Sequence, residues 1–371
     1  MENSRDGART VSILIPCLNE FHFIQSCLSS VLEFSIPAAT ELREIFVIDG
    51  GSTDGTPDVV REMALTDERI RLLQNPGRIQ STALNIGVRA ASGDYIVRLD
   101  AHSAYPRDYL NSTLETSLRT GCDNVGGLFV TQRRGGSYNA SVIQALTTHK
   151  FGVGDAGYRT GAQEGPADTV PYGCFRRELF DRIGLFDERL VRAQDYEMNR
   201  RIIAAGGCIW RNPAIHVRYF PQPDFISFIR KQVVYEAPYN AYLWYLAPYA
   251  FAARHAITGA FTLGVLGGLA LSPFSAPIRL IFLALMATYL TLAVLSAIQQ
   301  AVRYREPRHV VSLPFAFFLY HFLHGAGLLA GLVRLVTHTA PVQKASEPWP
   351  GAGRLRAWPI VKPASPLPTA G

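Results

Sequence analysis

Arg98-Leu99-Asp100-Ala101-His102 places a carboxylate and an imidazole two residues apart, at the end of a run of strand formers. Alternate side chains of a strand point to opposite faces, so Asp100 and His102 share a side if the strand continues. Both then sit at the carboxyl edge of the strand, where open α/β sheets bind ligands. The pair suits a divalent cation that also holds phosphate. The plainer alternative is a strand end with a capping Asp and a surface His. Three further groups have residue types that can do chemistry: Pro16-x-x-Asn19-Glu20, Asp49-x-x-Ser52-x-Asp54-Gly55-Thr56, and Gln194-Asp195. Asp195 opens an expected helix. A free Asp has a pKa of about 3.9, so it is ionised at neutral pH and can take a proton from a hydroxyl. Its alternative role is to cap that helix.

The elements that must position these groups follow from periodicity. Residues 11–15 are a short apolar run and read as a buried first strand, 44–48 as a second buried strand, and 69–74 and 94–99 as a third and a fourth strand. Helical spacing covers 21–34 and 79–91, and a sharp turn at 50–55 leads into another helix, with Thr56 a candidate N-cap and Pro57 at its first position. Strands alternating with helices imply a parallel sheet with βαβ crossovers. Pro106 opens a helix to about 119, 124–131 and 169–175 read as strands, 176–183 as a helix, and 196–205 as a helix ended by Gly206-Gly207. The Gly-rich stretch 152–165 is either a connector or a mobile lid.

The chain has 371 residues, with 48% hydrophobic, 18% charged and a net charge of +6. The apolar excess lies after about Leu243. Residues 225–249 mix aromatics with Arg230, Lys231 and Glu236, the composition of an interfacial helix. Residues 257–271 are apolar but short for a span, whereas 278–298 and 310–333 are long enough. Arg303, Arg305 and Arg308 lie between the two long segments, and the positive-inside rule puts that loop in the cytosol together with the N-terminal part. The expected organisation is a catalytic domain over 1–222, interfacial and transmembrane helices over 223–340, and a disordered Pro/Ala-rich tail over 341–371. The arginines form no single stripe, so no nucleic-acid partner is expected; anionic lipid headgroups or a diphosphate substrate account for the charge. Five cysteines, an odd number with no C-x-x-C spacing, argue against a disulfide framework and for reduced thiols.

The four motifs, in this order and each at a strand end or helix start, resemble the family 2 glycosyltransferases over about residues 11–219. The resemblance implies an α/β GT-A fold, Rossmann-like with a mostly parallel sheet. With Asp-x-His in place of the usual Asp-x-Asp and a membrane-associated C-terminal region, the chain looks most like the exopolysaccharide enzymes of the succinoglycan-assembly type. Those move glucose from UDP-glucose to a polyprenyl-diphosphate-linked sugar. The resemblance implies roles for individual residues. Asp49 accepts the uracil N3–H, while Pro16, Asn19, Glu20, Ser52 and Asp54 line the donor nucleotide. Glu20 either contacts ribose or serves a helix N-cap box, and Asp54 either binds donor or only ties up its turn. Arg78 contacts the donor phosphates or is simply exposed. Asp100 and His102 hold Mn²⁺ or Mg²⁺, and Asp195 is the general base of an inverting transfer. Glu197 and Arg201 brace the loop; His149, His216 and Arg218 are acceptor- or phosphate-side candidates.

The Gln-x-x-Arg-Trp signature of processive synthases is absent, which favours single transfer. The expected protein is a multi-pass inner- or plasma-membrane enzyme with a cytoplasmic catalytic domain and a lipid-linked saccharide acceptor. The alternatives are a polyprenyl-phosphate glycosyltransferase using the same donor site and a non-catalytic nucleotide-sugar-binding scaffold.

Overall fold

A computed structural model describes residues 8–133, 135–161 and 163–344. They divide into two compact units: the described parts of Met1–Val130 and Gly161–Arg218 form the first, and those of Thr131–Thr160 and Tyr219–Ser346 the second.

The first unit is built on an eight-stranded sheet. Chain order runs β1 (Arg9–Cys17), α1 (Phe21–Leu32), β2 (Thr40–Asp49), α2 (Thr56–Ala64), β3 (Ile70–Gln74), α3 (Gln80–Ala90), β4 (Tyr95–Arg98), α4 (Tyr109–Thr120) and β5 (Asn124–Thr131). Helices α5 (Tyr138–Thr147), α6 (Lys150–Val153) and α7 (Gly157–Thr160) follow, then β6 (Gly165–Pro166), β7 (Cys174–Arg176), α8 (Glu178–Ile183), α9 (Gln194–Ala204) and β8 (Ile209–Tyr219). Spatial order is β3-β2-β1-β4-β7-β5-β8-β6. The first four strands in this order pair in parallel, as the βαβ pattern requires. The β4–β7, β7–β5 and β8–β6 pairs are antiparallel, so the sheet is mixed beyond β4. β1 is apolar almost throughout because both its faces are covered. Val11, Ile13 and Ile15 enter one core with Ile24, Leu28 and Val31 of α1. Leu14 enters the other core with Leu84 of α3 and Met198 of α9.

Several expectations are corrected. The strand expected over 169–175 is only β7, because Tyr172 and Gly173 take positive φ just before it. Gly173 is required there: a Cβ would lie 2.4 Å from Asn124 Oδ1. The expected loop 152–165 contains α7, and β8 was not among the expected strands. Gly55, not Thr56, is the N-cap of α2. Cys122 and Cys208 form a disulfide, against the expectation of reduced thiols. The starts of β5 and β8 bring them together: Asp123 and Asn124 N–H both donate to the Cys208 carbonyl, at 3.0 and 3.3 Å. Pairing across 86 residues leaves no local spacing signal.

In the second unit, α10 (Phe225–Arg230) continues through a π-helical turn (Lys231–Glu236) into α11 (Ala237–Leu246). α12 (Ala253–Leu271), α13 (Ala276–Tyr304) and α14 (His309–Val336) follow. α13 and α14 are each long and apolar enough to cross a membrane; at 29 residues, α13 is about 43 Å long against a hydrocarbon core of about 30 Å. The Arg-rich connection shrinks to 305–308, because both helices extend past the apolar runs. The histidines of α14 are accommodated by partners: Tyr289 pairs with His321 at 2.9 Å and Thr258 with His324 at 3.0 Å. Val142, Ile143 and Leu146 of α5 pack with Leu313 and Phe317 of α14, so Thr131–Thr160 belongs with these helices rather than with the sheet. The tail expected to be disordered lies outside the described residues, apart from 341–344.

Candidate active site

The first two motifs interlock because β1 and β2 end side by side, Cys17 opposite Asp49. Asn19, in the left-handed region, donates its N–H to Ser52 Oγ at 2.8 Å and accepts from Thr53 N–H at 2.9 Å. Glu20 N–H donates to Thr56 Oγ1 at 2.9 Å. Asp54 accepts from Phe21 N–H, Thr56 N–H and the Thr56 hydroxyl; the last of these chiefly holds its carboxyl below the usual range. Asp54 thus ties the turn. The Asp49 side chain is buried at the strand end and accepts from Gly51 N–H at 3.0 Å, Ser52 N–H and the Ser52 hydroxyl. Burial, reinforced by Asp49, pushes the Cys17 thiol up, so it remains a donor to that carboxylate. Pro16 is buried at the end of β1, and the exposed Arg78 lies with its Cα 3.6 Å from where a Gly50 Cβ would stand.

Asp100 and His102 meet by a route other than strand alternation. β4 stops at Arg98, and Ser103 N–H closes a turn onto the Asp100 carbonyl at 3.2 Å. Tyr105 hydroxyl accepts from Asp100 N–H at 2.6 Å, and burial keeps that phenol protonated. The turn leaves His102 Nε2 3.9 Å from Asp100 Oδ2. On its other side, His102 Nδ1 lies 3.2 Å from Glu20 Oε1. Glu20 therefore reaches the imidazole, a partner absent from the sequence expectation. No group of three or more His, Cys, Asp or Glu side chains forms a ready metal cage among the described residues. A gap of 3.9 Å is wider than a hydrogen bond and within two metal–ligand bonds of about 2.1 Å. Two protein ligands supplemented by diphosphate oxygens are what a Mg²⁺-type site uses, so the donor set fits.

Asp195 is the second residue of α9, and the N-cap is Ala193, held at φ 63°. Asp195 is therefore not the N-cap residue of this helix. Instead Asp195 Oδ2 accepts from Arg98 Nη1 at 2.7 Å. Glu197 and Arg201 form a buried pair, and Arg201 Nη1 donates to the Leu185 carbonyl at 2.6 Å, bracing the segment before α9. Of the further candidates, Arg218 forms a β-bridge with Ala104 beside the Asp100 turn, His216 is exposed on β8, and His149 falls in the other unit. The residues that sequence reasoning missed are Arg98, Tyr105 and Tyr172. A charge inside the apolar run Tyr95-Ile96-Val97-Arg98-Leu99 was the available signal for the first.

A mixed, mostly parallel sheet whose carboxyl edge gathers these four motifs defines an α/β domain of the GT-A-like class. Residues 12–184 match the glycosyl transferase family 2 model. The chain is 36% identical over 217 residues to the succinoglycan biosynthesis protein ExoA of Rhizobium meliloti, covering 58% of this chain and 64% of that protein. It is 28% identical over 341 residues, 87% of this chain and 97% of the other, to a dolichyl N-acetyl-α-D-glucosaminyl phosphate 3-β-D-2,3-diacetamido-2,3-dideoxy-β-D-glucuronosyltransferase of Methanococcus voltae. The mannosyltransferase PcManGT of Pyrobaculum calidifontis, solved with GDP-Man and Mn²⁺, shares the fold. That match has a TM-score of 0.53 at 21% identity, over 89% of this chain and 90% of that one.

Proposed function

We propose that the protein is an inverting, metal-dependent glycosyltransferase. It moves a sugar, glucose as the family resemblance implies, from a UDP-sugar to a polyprenyl-diphosphate-linked saccharide in exopolysaccharide or envelope-glycan assembly. The observation that carries the reading is that, at the sheet edge, Asp195 pairs with Arg98 at 2.7 Å and, within the region matching family 2, His102 Nε2 lies 3.9 Å from Asp100 Oδ2. Asp49, Ser52, Asn19 and Pro16 form the edge against which the nucleotide lies, with Arg78 beside it. Asp100 and His102 would hold Mn²⁺ or Mg²⁺; when bound, the ion offsets charge on the departing nucleoside diphosphate. The Glu20 contact on Nδ1 leaves Nε2 as the ring nitrogen nearer Asp100.

Asp195 takes the proton from the acceptor hydroxyl as the acceptor oxygen bonds to the anomeric carbon. The bond from that carbon to the diphosphate oxygen breaks on the opposite face, its electron pair leaves with the nucleoside diphosphate, and the configuration inverts. Two helices long and apolar enough to span a bilayer support a lipid-carried acceptor and a membrane location. The same features suit the alternative of transfer to a bare polyprenyl phosphate.

The test is a donor screen with purified protein in detergent, reading free nucleoside diphosphate and the labelled lipid product. UDP release that requires a polyprenyl-diphosphate saccharide is the expected result. Label on bare polyprenyl phosphate, with no prior sugar needed, would overturn the acceptor assignment, and no turnover with any nucleotide sugar would favour the scaffold reading.

A further inference from the structure

Arg98 is a cation that the fold buries, its side chain 4% exposed. Strand alternation puts it in the row of Ile96, and Ile96 shares a core with Met198 and Ile202 of α9. Asp195, Met198 and Ile202 lie on one face of that helix by their spacing. The face that packs on the sheet therefore begins with a carboxylate, and the strand row that meets it ends with a guanidinium. The Arg98 N–H is fixed by the Gly173 carbonyl at 3.0 Å, and its guanidinium lies 5.1 Å from the Tyr172 ring centroid. The other acid in the first turn of α9, Glu197, is engaged by Arg201.

We propose that Arg98 is the positioning residue for Asp195: its guanidinium grips one carboxylate oxygen and so fixes the plane in which the carboxylate meets the acceptor hydroxyl. The proposal rests on the reading of Asp195 as base. Both groups stand on regular elements, β4 and α9, which hold geometry more tightly than loops do. A lysine keeps the charge but lacks the planar fork that orients a carboxylate.

The experiment uses the full chain in detergent and measures UDP binding with Mn²⁺ alongside steady-state transfer, for Arg98→Lys, Arg98→Gln, Asp195→Asn and the Arg98→Lys/Asp195→Asn pair. Arg98→Lys should keep UDP affinity and donor KM while kcat falls about 10–100-fold, with Arg98→Gln falling further. In the Asp195→Asn background, Arg98→Lys should cost nothing more, because the two act as a unit. Wild-type kcat in both Arg98 variants would overturn the proposal, as would losses that multiply in the pair. Loss of UDP binding together with turnover would also count against it, since the role would not be confined to Asp195. Wild-type turnover in Asp195→Asn would instead overturn the base reading; an inactive Asp195→Asn beside fully active Arg98 variants would remove the positioning role alone.

Discussion

Asp100, His102 and Glu20 illustrate how a short motif acquires a site by contact rather than by spacing. Asp-x-His predicts two ligands on one side of a strand, but the strand has already ended. A turn held by Ser103 and Tyr105 brings them together instead. Glu20 then fixes the imidazole from the opposite side at 3.2 Å. A carboxylate behind a ligating His orients the ring, and its loss costs about 10–100-fold in metal affinity in comparable sites. Glu20→Gln is therefore expected to weaken Mn²⁺ binding to the UDP-loaded protein about 10-fold, while leaving metal-free UDP binding unchanged. Titration calorimetry reads both; a change in UDP affinity with Mn²⁺ affinity untouched would return Glu20 to a ribose contact. At the same scale, EDTA should abolish transfer and Mn²⁺ should restore it, and activity indifferent to EDTA would contradict a metal held by Asp100 and His102.

Elements were legible where the chain repeats a local rule. The alternation of buried strands and helices gave β1 to β4 with their helices, because each βαβ unit is local in sequence. Strand β5 begins and ends as its apolar run does. What escaped depends on distant partners. β7 inserts antiparallel between β4 and β5, the long β8 follows α9, and Cys122 meets Cys208 only through those pairings. The ion pair between Arg98 and Asp195 is invisible for the same reason: it joins residues 97 apart through a shared core. The disulfide is checked by counting thiols in protein denatured without reductant. Three, from Cys17, Cys27 and Cys174, are expected, and five would contradict the bond. A disulfide is typically worth about 2–4 kcal/mol, so Cys122→Ala should lower the unfolding free energy by about that amount. Ala193 is a second element-scale test, because its left-handed conformation sets the start of α9. A β-branched residue fits that region poorly, and Ala193→Val is expected to destabilise by about 1–2 kcal/mol and to lower kcat by displacing Asp195.

At the scale of the molecule, one unit carries the residues proposed for donor, metal and base roles and the other carries the long apolar helices. Large apolar side chains such as Leu280, Ile281, Leu283 and Leu285 of α13 are exposed, as lipid-facing residues are and as water-facing ones seldom are in such density. The full chain is expected to stay with membranes through alkaline carbonate and to leave them only with detergent; release by carbonate would contradict a spanning arrangement. The central claim is that Asp195 removes the acceptor proton in a single displacement. The most direct measurement is transfer by Asp195→Asn, with UDP binding measured in the same preparation. The account predicts unchanged UDP affinity and a kcat lowered by about 10²–10⁴-fold; a variant that binds UDP and turns over at the wild-type rate would contradict it.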